Sequence, residues 1–213
     1  MGRQATDQPA VALASWRWIS ERGLRVATGE ATLARYEQLI SKNLCDVEDI
    51  IPADDSLLLV LRRAAGVPAE VRAALVEPLA DRRGVAGGAR HEIVVDYGGP
   101  DLPALARLVG MSESAYIDRH TATEYTVAFL GFQPGFPYLR GLPAELQTAR
   151  RASPRQRVAP GSVAIGGVYT GIYPAGGPGG WHIIGRTSAV LFDPQRDAPA
   201  LLMPGDRVRF VPA

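Results

Sequence analysis

VAFLGFQPGFPYLRGLP (residues 127–143) and RRASPRQRVAPGSVAIGGVYTGIYPAGGPGGWHIIGRT (residues 150–187) are the stretches whose reading decides the fold of this chain. Glycine and proline crowd both, yet Val163, Ala164, Ile165, Ile172, Ile183 and Ile184 persist between them. A disordered linker has no core in which to place such residues. The stretch therefore reads as folded backbone with many forced turns, where binding groups tend to be displayed. The same pattern runs on to the end: 163–165, 168–173, 181–184, 189–192 and 207–210 are short apolar runs between turn residues. Many short strands at close spacing predict a β-sandwich or barrel.

Before Tyr125 the pattern is different. Residues 16–19 and 24–26 alternate apolar and polar around Glu21-Arg22-Gly23, which predicts a hairpin. Leu33, Tyr36, Leu39 and Ile40 recur at helical spacing over 30–43. The apolar run 56–61 predicts a strand buried on both faces. A helix over 69–80 is expected, weakened by Pro78 near its end. Residues 84–88 read as a loop and 91–96 as a strand, while 1–13 compose a loose tail. Alternating strands and helices predict a small N-terminal α/β sandwich. Asp101 is expected to cap a short helix with Pro103 in its first turn and Gly110 at its stop, and Ser112 to open a second helix reaching about His120. The expected organisation is α+β, with an N-terminal domain over 1–98 and a β-rich domain over 99–213.

Composition bounds the function. The chain has 213 residues, 46% hydrophobic and 21% charged, with a net charge of +1, so nothing in the total points to nucleic acid. Cys45 is the single cysteine, which excludes an internal disulfide and a cysteine-based metal site. No signal peptide and no bilayer-length apolar run is evident, so the expected setting is cytoplasmic, away from membranes. No G-x-x-x-x-G-K-[ST] loop is present to cradle a nucleotide. Three histidines, His91, His120 and His182, lack metal-ligand spacing.

Candidate chemistry gathers in the second half. Arg150, Arg151, Arg155 and Arg157 lie around Ser153-Pro154, and an extended segment of this kind can present guanidinium forks to a carboxylate or phosphate. A solvated basic loop is the plainer alternative. Ser162 follows Gly161 outside any G-x-S-x-G elbow, so a hydrogen-bonding role is expected rather than nucleophilic attack. Gly179 and Gly180 let backbone approach a ligand beside the flat wall of Trp181, or else mark a β-turn with a core tryptophan. Arg186 can clamp an anion or pair with an acid.

As a set, GFQPGFPYLRGLP, SPRQRVAPGSVAIGG, TGIYPAGGPGGW and IIGRT, with YGGPDLPALARLVGMS and RHTATEYTV upstream, resemble the carboxyltransferase-like family called allophanate hydrolase subunit 1. That family includes the B subunit of prokaryotic 5-oxoprolinase and the kinase inhibitor KipI. The resemblance covers residues 97–210. It implies a small α/β domain followed by a cyclophilin-like β-barrel. It also implies a partner barrel subunit of the allophanate hydrolase subunit 2 or KipA kind, and with it a LamB/YcsF-type subunit. The implied activity is ATP-dependent opening of 5-oxo-L-proline to L-glutamate by the complex. The family's other activities, inhibition of a sensor histidine kinase and carboxyl transfer to urea-like amides, are the alternatives. By motif the resemblance assigns catalytic roles to His120, Arg155 and Arg186, with His120 moving a proton. It assigns substrate binding to Gly161, Ser162, Tyr173, Gly179, Gly180, Trp181 and Thr187. His182 is left without a role. A resonance-stabilised lactam resists water, and phosphorylating its oxygen would make the carbon electrophilic, which gives ATP its use.

Overall fold

The computed structural model describes residues 15–63, 66–79 and 88–213. The chain divides into two compact units, Met1–Gly84 and Val85–Ala213. The expected tail and most of the expected loop at 84–88 lie outside the described residues.

In the first unit, strands β1 (Trp16–Trp18), β2 (Gly23–Ala27), β3 (Val47–Pro52) and β4 (Ser56–Leu61) form an antiparallel sheet in the order β1-β2-β4-β3. The expected hairpin forms, with Trp16 opposite Val26. Helix α1 (Thr32–Lys42) ends at Asn43, whose φ of 45° places it in the left-handed region that asparagine tolerates. Helix α2 (Ala69–Val76) stops earlier than expected. Glu77 precedes Pro78, and the proline ring pushes it to an extended ψ of 134°. Leu57, Leu59 and Leu61 of β4 pack with Leu39, Val71 and Leu75, whereas Leu58 and Val60 are only half-buried. The strand therefore buries one face fully, not two, as is usual where an antiparallel sheet is covered on one side.

The second unit contains β5 (Arg90–Val95), α3 (Leu102–Leu108), α4 (Glu113–Thr121), β6 (Glu124–Leu130), β7 (Pro137–Arg140), β8 (Arg155–Val158), β9 (Ser162–Gly166), β10 (Tyr169–Ile172), β11 (Gly177–Gly179), β12 (His182–Arg186) and β13 (Arg207–Pro212). Its main sheet has seven strands in the order β12-β9-β10-β7-β6-β13-β5, and β8 pairs with β11 in a separate ribbon. β5 runs parallel to β13, from Arg90 opposite Arg207 to Val95 opposite Pro212. That pairing takes the strand at 91–96 out of the N-terminal domain to which the expected boundary at 98/99 assigned it. The run 189–192 forms no strand. Only Phe192 makes an isolated bridge, to Ala200, and buried Leu191 shows that the apolar pattern there reported burial rather than pairing.

The sheet curls like half a barrel until its edges touch. Asp96, just past β5, and Arg186, at the end of β12, exchange backbone hydrogen bonds of 2.8 and 2.9 Å. Gly99 and Asp101 N–H groups add bonds to Ile184 and Ile183 carbonyls at 3.1 Å each. The curled sheet has an inner and an outer face. Tyr125, Val127, Leu139, Val163, Ile165, Ile172, Ile184, Val208 and Phe210 point inward with Leu102 and Leu105 of α3 and Tyr116 of α4. Ala128, Phe136, Ala164, Tyr169, Tyr173, Trp181 and Ile183 form a second, aromatic cluster, which includes Val158 of β8. Among the described residues no helix is long and apolar enough to cross a membrane.

Candidate functional site

The alternation of side chains along β10 separates the expected site residues. Thr170 and Ile172 belong to the inner face, while Tyr169, and Tyr173 just beyond the strand, belong to the aromatic cluster. His120 reaches β10 from the inner side. Helical spacing on α4 brings Tyr116 and His120 onto the same buried face. The imidazole is fully buried and stacks on Phe210 at 4.8 Å. Its Nε2 lies 3.0 Å from Thr170 Oγ1 and its Nδ1 lies 2.7 Å from the Tyr97 hydroxyl. Thr170 donates its own hydroxyl proton to Ala164 O at 3.2 Å, so Nε2 carries the hydrogen and Nδ1 accepts from Tyr97. Burial pushes the imidazole pKa down to about 3. Burial therefore favours the neutral ring, which is paired on both nitrogens and faces the interior rather than the aromatic cluster. It acts as a polar pin through the core, and the Tyr125 hydroxyl secures it further by donating to the His120 carbonyl at 2.7 Å.

On the outer face the structure does bring together Arg155, Tyr173, Gly179, Gly180 and Trp181. Arg155 stands opposite Gly179 across the β8–β11 ribbon. A Cβ on Gly179 would lie 2.4 Å from the Tyr173 hydroxyl, so glycine is required for that approach. Gly180 accepts the Arg151 N–H at 2.8 Å. The Trp181 indole packs edge-on against Phe136 and Tyr138, at 5.4 and 5.5 Å, and Arg150 holds its guanidinium 5.9 Å from the indole centroid. Burial pushes the Tyr173 phenol up.

Asp101 is the residue that sequence reasoning misplaced. Its side chain makes no cap to α3. It instead receives Arg155 Nη2 at 2.8 Å and Arg151 Nη1 at 3.1 Å on Oδ1, and the Ile183 N–H at 2.7 Å on Oδ2. Burial alone pushes its carboxyl up. The Arg155 hydrogen bond, the Ile183 N–H and the charges of Arg155 and Arg151 outweigh that and hold it below the ordinary carboxylate range. An aspartate at a helix start reads as a cap, and nothing local in the sequence distinguishes this one from that role. Of the aromatic run Phe132, Phe136 and Tyr138, only Phe132 is exposed. It is 60% exposed with φ of +67°, strained for a non-glycine residue, and its edge contacts Phe136 and Tyr173.

The remaining expected residues sit at the strand ends beside this face. Gly161 has φ of +79° and donates to Tyr173 O at 2.7 Å, and Thr187 N–H donates to Gly161 O at 2.8 Å. A Cβ on Gly161 would lie 2.1 Å from Thr187 O, so this crossing of backbones needs glycine. Ser162 and Thr187 are buried, and Ser162 pairs with Arg186 across β9 and β12. The Arg186 side chain is exposed and lines a shallow depression with Val94, Asp96, Thr187 and Ser188. It does not join Arg155. His182 is half-buried with Nε2 3.0 Å from Ala149 O.

A family model described as carboxyltransferase domain, subdomain C and D, matches residues 14–202. The chain is 44% identical over 190 residues to the Escherichia coli O157:H7 protein named as the B subunit of 5-oxoprolinase, covering 85% of this chain and 87% of that one. It is 48% identical over 123 residues to the Bacillus subtilis protein of the same name, covering 56% of this chain and 51% of the other. Among solved structures, TTHA0988 superposes with a TM-score of 0.77 at 37% identity, covering 90% of this chain and only 40% of that chain.

Proposed function

The chain belongs to the carboxyltransferase-domain family, subdomains C and D, and from that premise we propose that it is the B subunit of a prokaryotic 5-oxoprolinase complex. The observation that carries this reading is the 44% identity to a protein of that name across 87% of its length. On this reading the complex opens the lactam of 5-oxo-L-proline to L-glutamate with ATP as co-substrate. A partner barrel subunit of the allophanate hydrolase subunit 2 kind and a LamB/YcsF-type subunit complete it. The curled sheet of the second unit is read as the cyclophilin-like barrel, which the junction of its edges at Asp96 and Arg186 supports. The first unit, with its helices and antiparallel sheet, is read as the accompanying α/β domain.

The substrate site is read on the outer face, at Arg155, Tyr173, Gly179, Gly180 and Trp181. Gly161, Ser162 and Thr187 shape the adjoining turn, and Arg186 stands at the rim. A small planar lactam suits an aromatic wall with close-approaching glycine backbone, and its carboxylate suits guanidinium. Proton transfer is not drawn through His120, which lies behind the sheet. No described helix opens on a phosphate-cradling loop.

The test is co-expression with the neighbouring open reading frames, followed by assay of glutamate release from 5-oxo-L-proline with and without ATP. ATP-dependent release that disappears when this chain is omitted supports the reading. Carboxylation of an amide by a biotin-bearing partner, without lactam opening, replaces it with carboxyl transfer.

A further inference from the structure

We propose that Asp101 is a positioning residue, and that it holds Arg151 and Arg155 as a paired fork reading the carboxylate of the substrate. The proposal rests on the 5-oxoprolinase reading and deepens it, by naming which group distinguishes the acid from a neutral lactam.

The charges at the cluster do not balance. Both guanidinium groups bond the same oxygen, Asp101 Oδ1, and the other oxygen is taken by the Ile183 N–H. Among the described residues Asp101 is the only carboxylate within ion-pair distance of either arginine. One negative charge therefore faces two positive ones, and Arg150 adds a third beside Trp181. A structural ion pair is complete with one arginine. The second leaves a net positive charge in partly buried surroundings, where an anion is attracted more strongly than in water.

Nor do all the hydrogen-bond donors of the two arginines find partners. Arg151 Nε and Arg155 Nη1 are buried and have no partner, although each guanidinium already bonds Asp101 through another nitrogen. Buried charged N–H groups are rarely left unpaired, because the loss of water is not repaid. Unspent N–H donors on two guanidiniums are the donor set that a carboxylate accepts. Gln133 Oε1 is a third unpaired buried atom, an acceptor on the loop that carries strained Phe132. A lactam offers an N–H to such an acceptor and a carboxylate to such donors.

Arg186 is the competing anion holder, and the geometry disfavours it. Its side chain is exposed, so solvent and salt screen its attraction for an anion. Beside the fork, residues 150–154 form an irregular segment whose Arg150, Ala152, Ser153 and Pro154 are exposed and which is tied to the ribbon by Arg151 N–H to Gly180 O at 2.8 Å.

The experiment compares 5-oxo-L-proline with 2-pyrrolidinone, the same ring without the carboxylate, in the assembled enzyme. The wild type is expected to prefer the acid. Arg151→Gln and Arg155→Gln are each expected to lower that preference about tenfold or more, through the KM of the acid, with the neutral lactam little changed. Asp101→Asn is expected to shift the ratio the same way with kcat largely retained. A lesion that merely damages the fold lowers both substrates together and leaves the ratio intact. A ratio within about twofold of wild type in both arginine variants overturns the proposal. Calorimetric titration of the full chain with 5-oxo-L-proline, L-glutamate and 2-pyrrolidinone separates the fork from the activity. Binding of both acids but not the neutral lactam, lost in Arg155→Gln, supports the fork even where the complex fails to turn over. Equal binding of all three, or of none, overturns it.

Discussion

Thr170 and Tyr173 lie three positions apart in the chain, yet they serve opposite faces of one sheet. Thr170 faces inward, where its hydroxyl joins His120, Tyr97 and Ala164 in a closed set of hydrogen bonds. Tyr173 faces outward, among Phe132, Phe136 and the glycines of the ribbon. The inner face mixes aliphatic side chains with Tyr116, Tyr125 and Phe210, and both nitrogens of its histidine are paired, while the buried Tyr116 hydroxyl is its one side-chain polar atom without a partner among the described residues. The outer face is aromatic, and beside it charged N–H groups remain unspent. The contrast separates two uses of burial. Satisfied polar groups fix a core, whereas unsatisfied ones beside a wall of rings mark where a ligand belongs.

The inner face takes the severest single lesion. Phe210→Ala removes a fully buried ring that stacks on His120 and meets Tyr125, and is expected to cost about 3–5 kcal/mol in urea unfolding. Any loss of activity should then follow the folded fraction. On the outer face the corresponding lesion is an added methyl. A Cβ on Gly166 would lie 2.6 Å from the Trp181 ring, so Gly166→Ala is expected to cost about 1–3 kcal/mol and to displace the indole, read as a change in tryptophan fluorescence. A silent Gly166→Ala would mean that the aromatic face is loosely packed.

Acid distinguishes the faces next. The pKa of His120 is 6.5 when free and about 3 in the folded state. Between those values the unfolded chain binds a proton that the native one refuses, so stability is complete above the upper value and falls as pH drops toward the lower. The expected slope is about 1.4 kcal/mol per pH unit, seen as a lower urea midpoint near pH 5 than near pH 7. His120→Gln should flatten that slope. The smallest effect belongs to the loop. Phe132→Gly relieves the φ of +67° while losing edge contacts to two rings, and thermal unfolding is expected to move by about 1 kcal/mol or less.

Much of the fold was legible in the sequence, because local patterns report local structure. The hairpin at Trp16, the helical spacing of Leu33, Tyr36 and Leu39, and the Ser112 cap, which accepts the Ala115 N–H at 3.1 Å, needed no distant partner. Boundaries failed where a distant partner decided. β5 reads as a strand from its residues, but only β13, more than a hundred positions later, assigns it to the second unit. The run at Leu191 reads as a strand and is buried without one.

The site divides in the same way. The grouping of Arg155 with Gly179, Gly180 and Trp181 was foreshadowed by the motifs, since a two-stranded ribbon of nearby segments holds them. The burial of His120 is not legible locally, because a histidine at a helix end looks the same whether its neighbour is solvent or Phe210.

The amino-acid order alone determined the turns, the short strands, the two cappable helices and the family to which they belong, since each rests on residues close together in the chain. Tertiary structure alone decided which face each side chain serves, and that Asp101 leaves a helix end to hold two arginines. Burial and charge pairing depend on groups brought together from 50 or more positions away, and no local pattern encodes them.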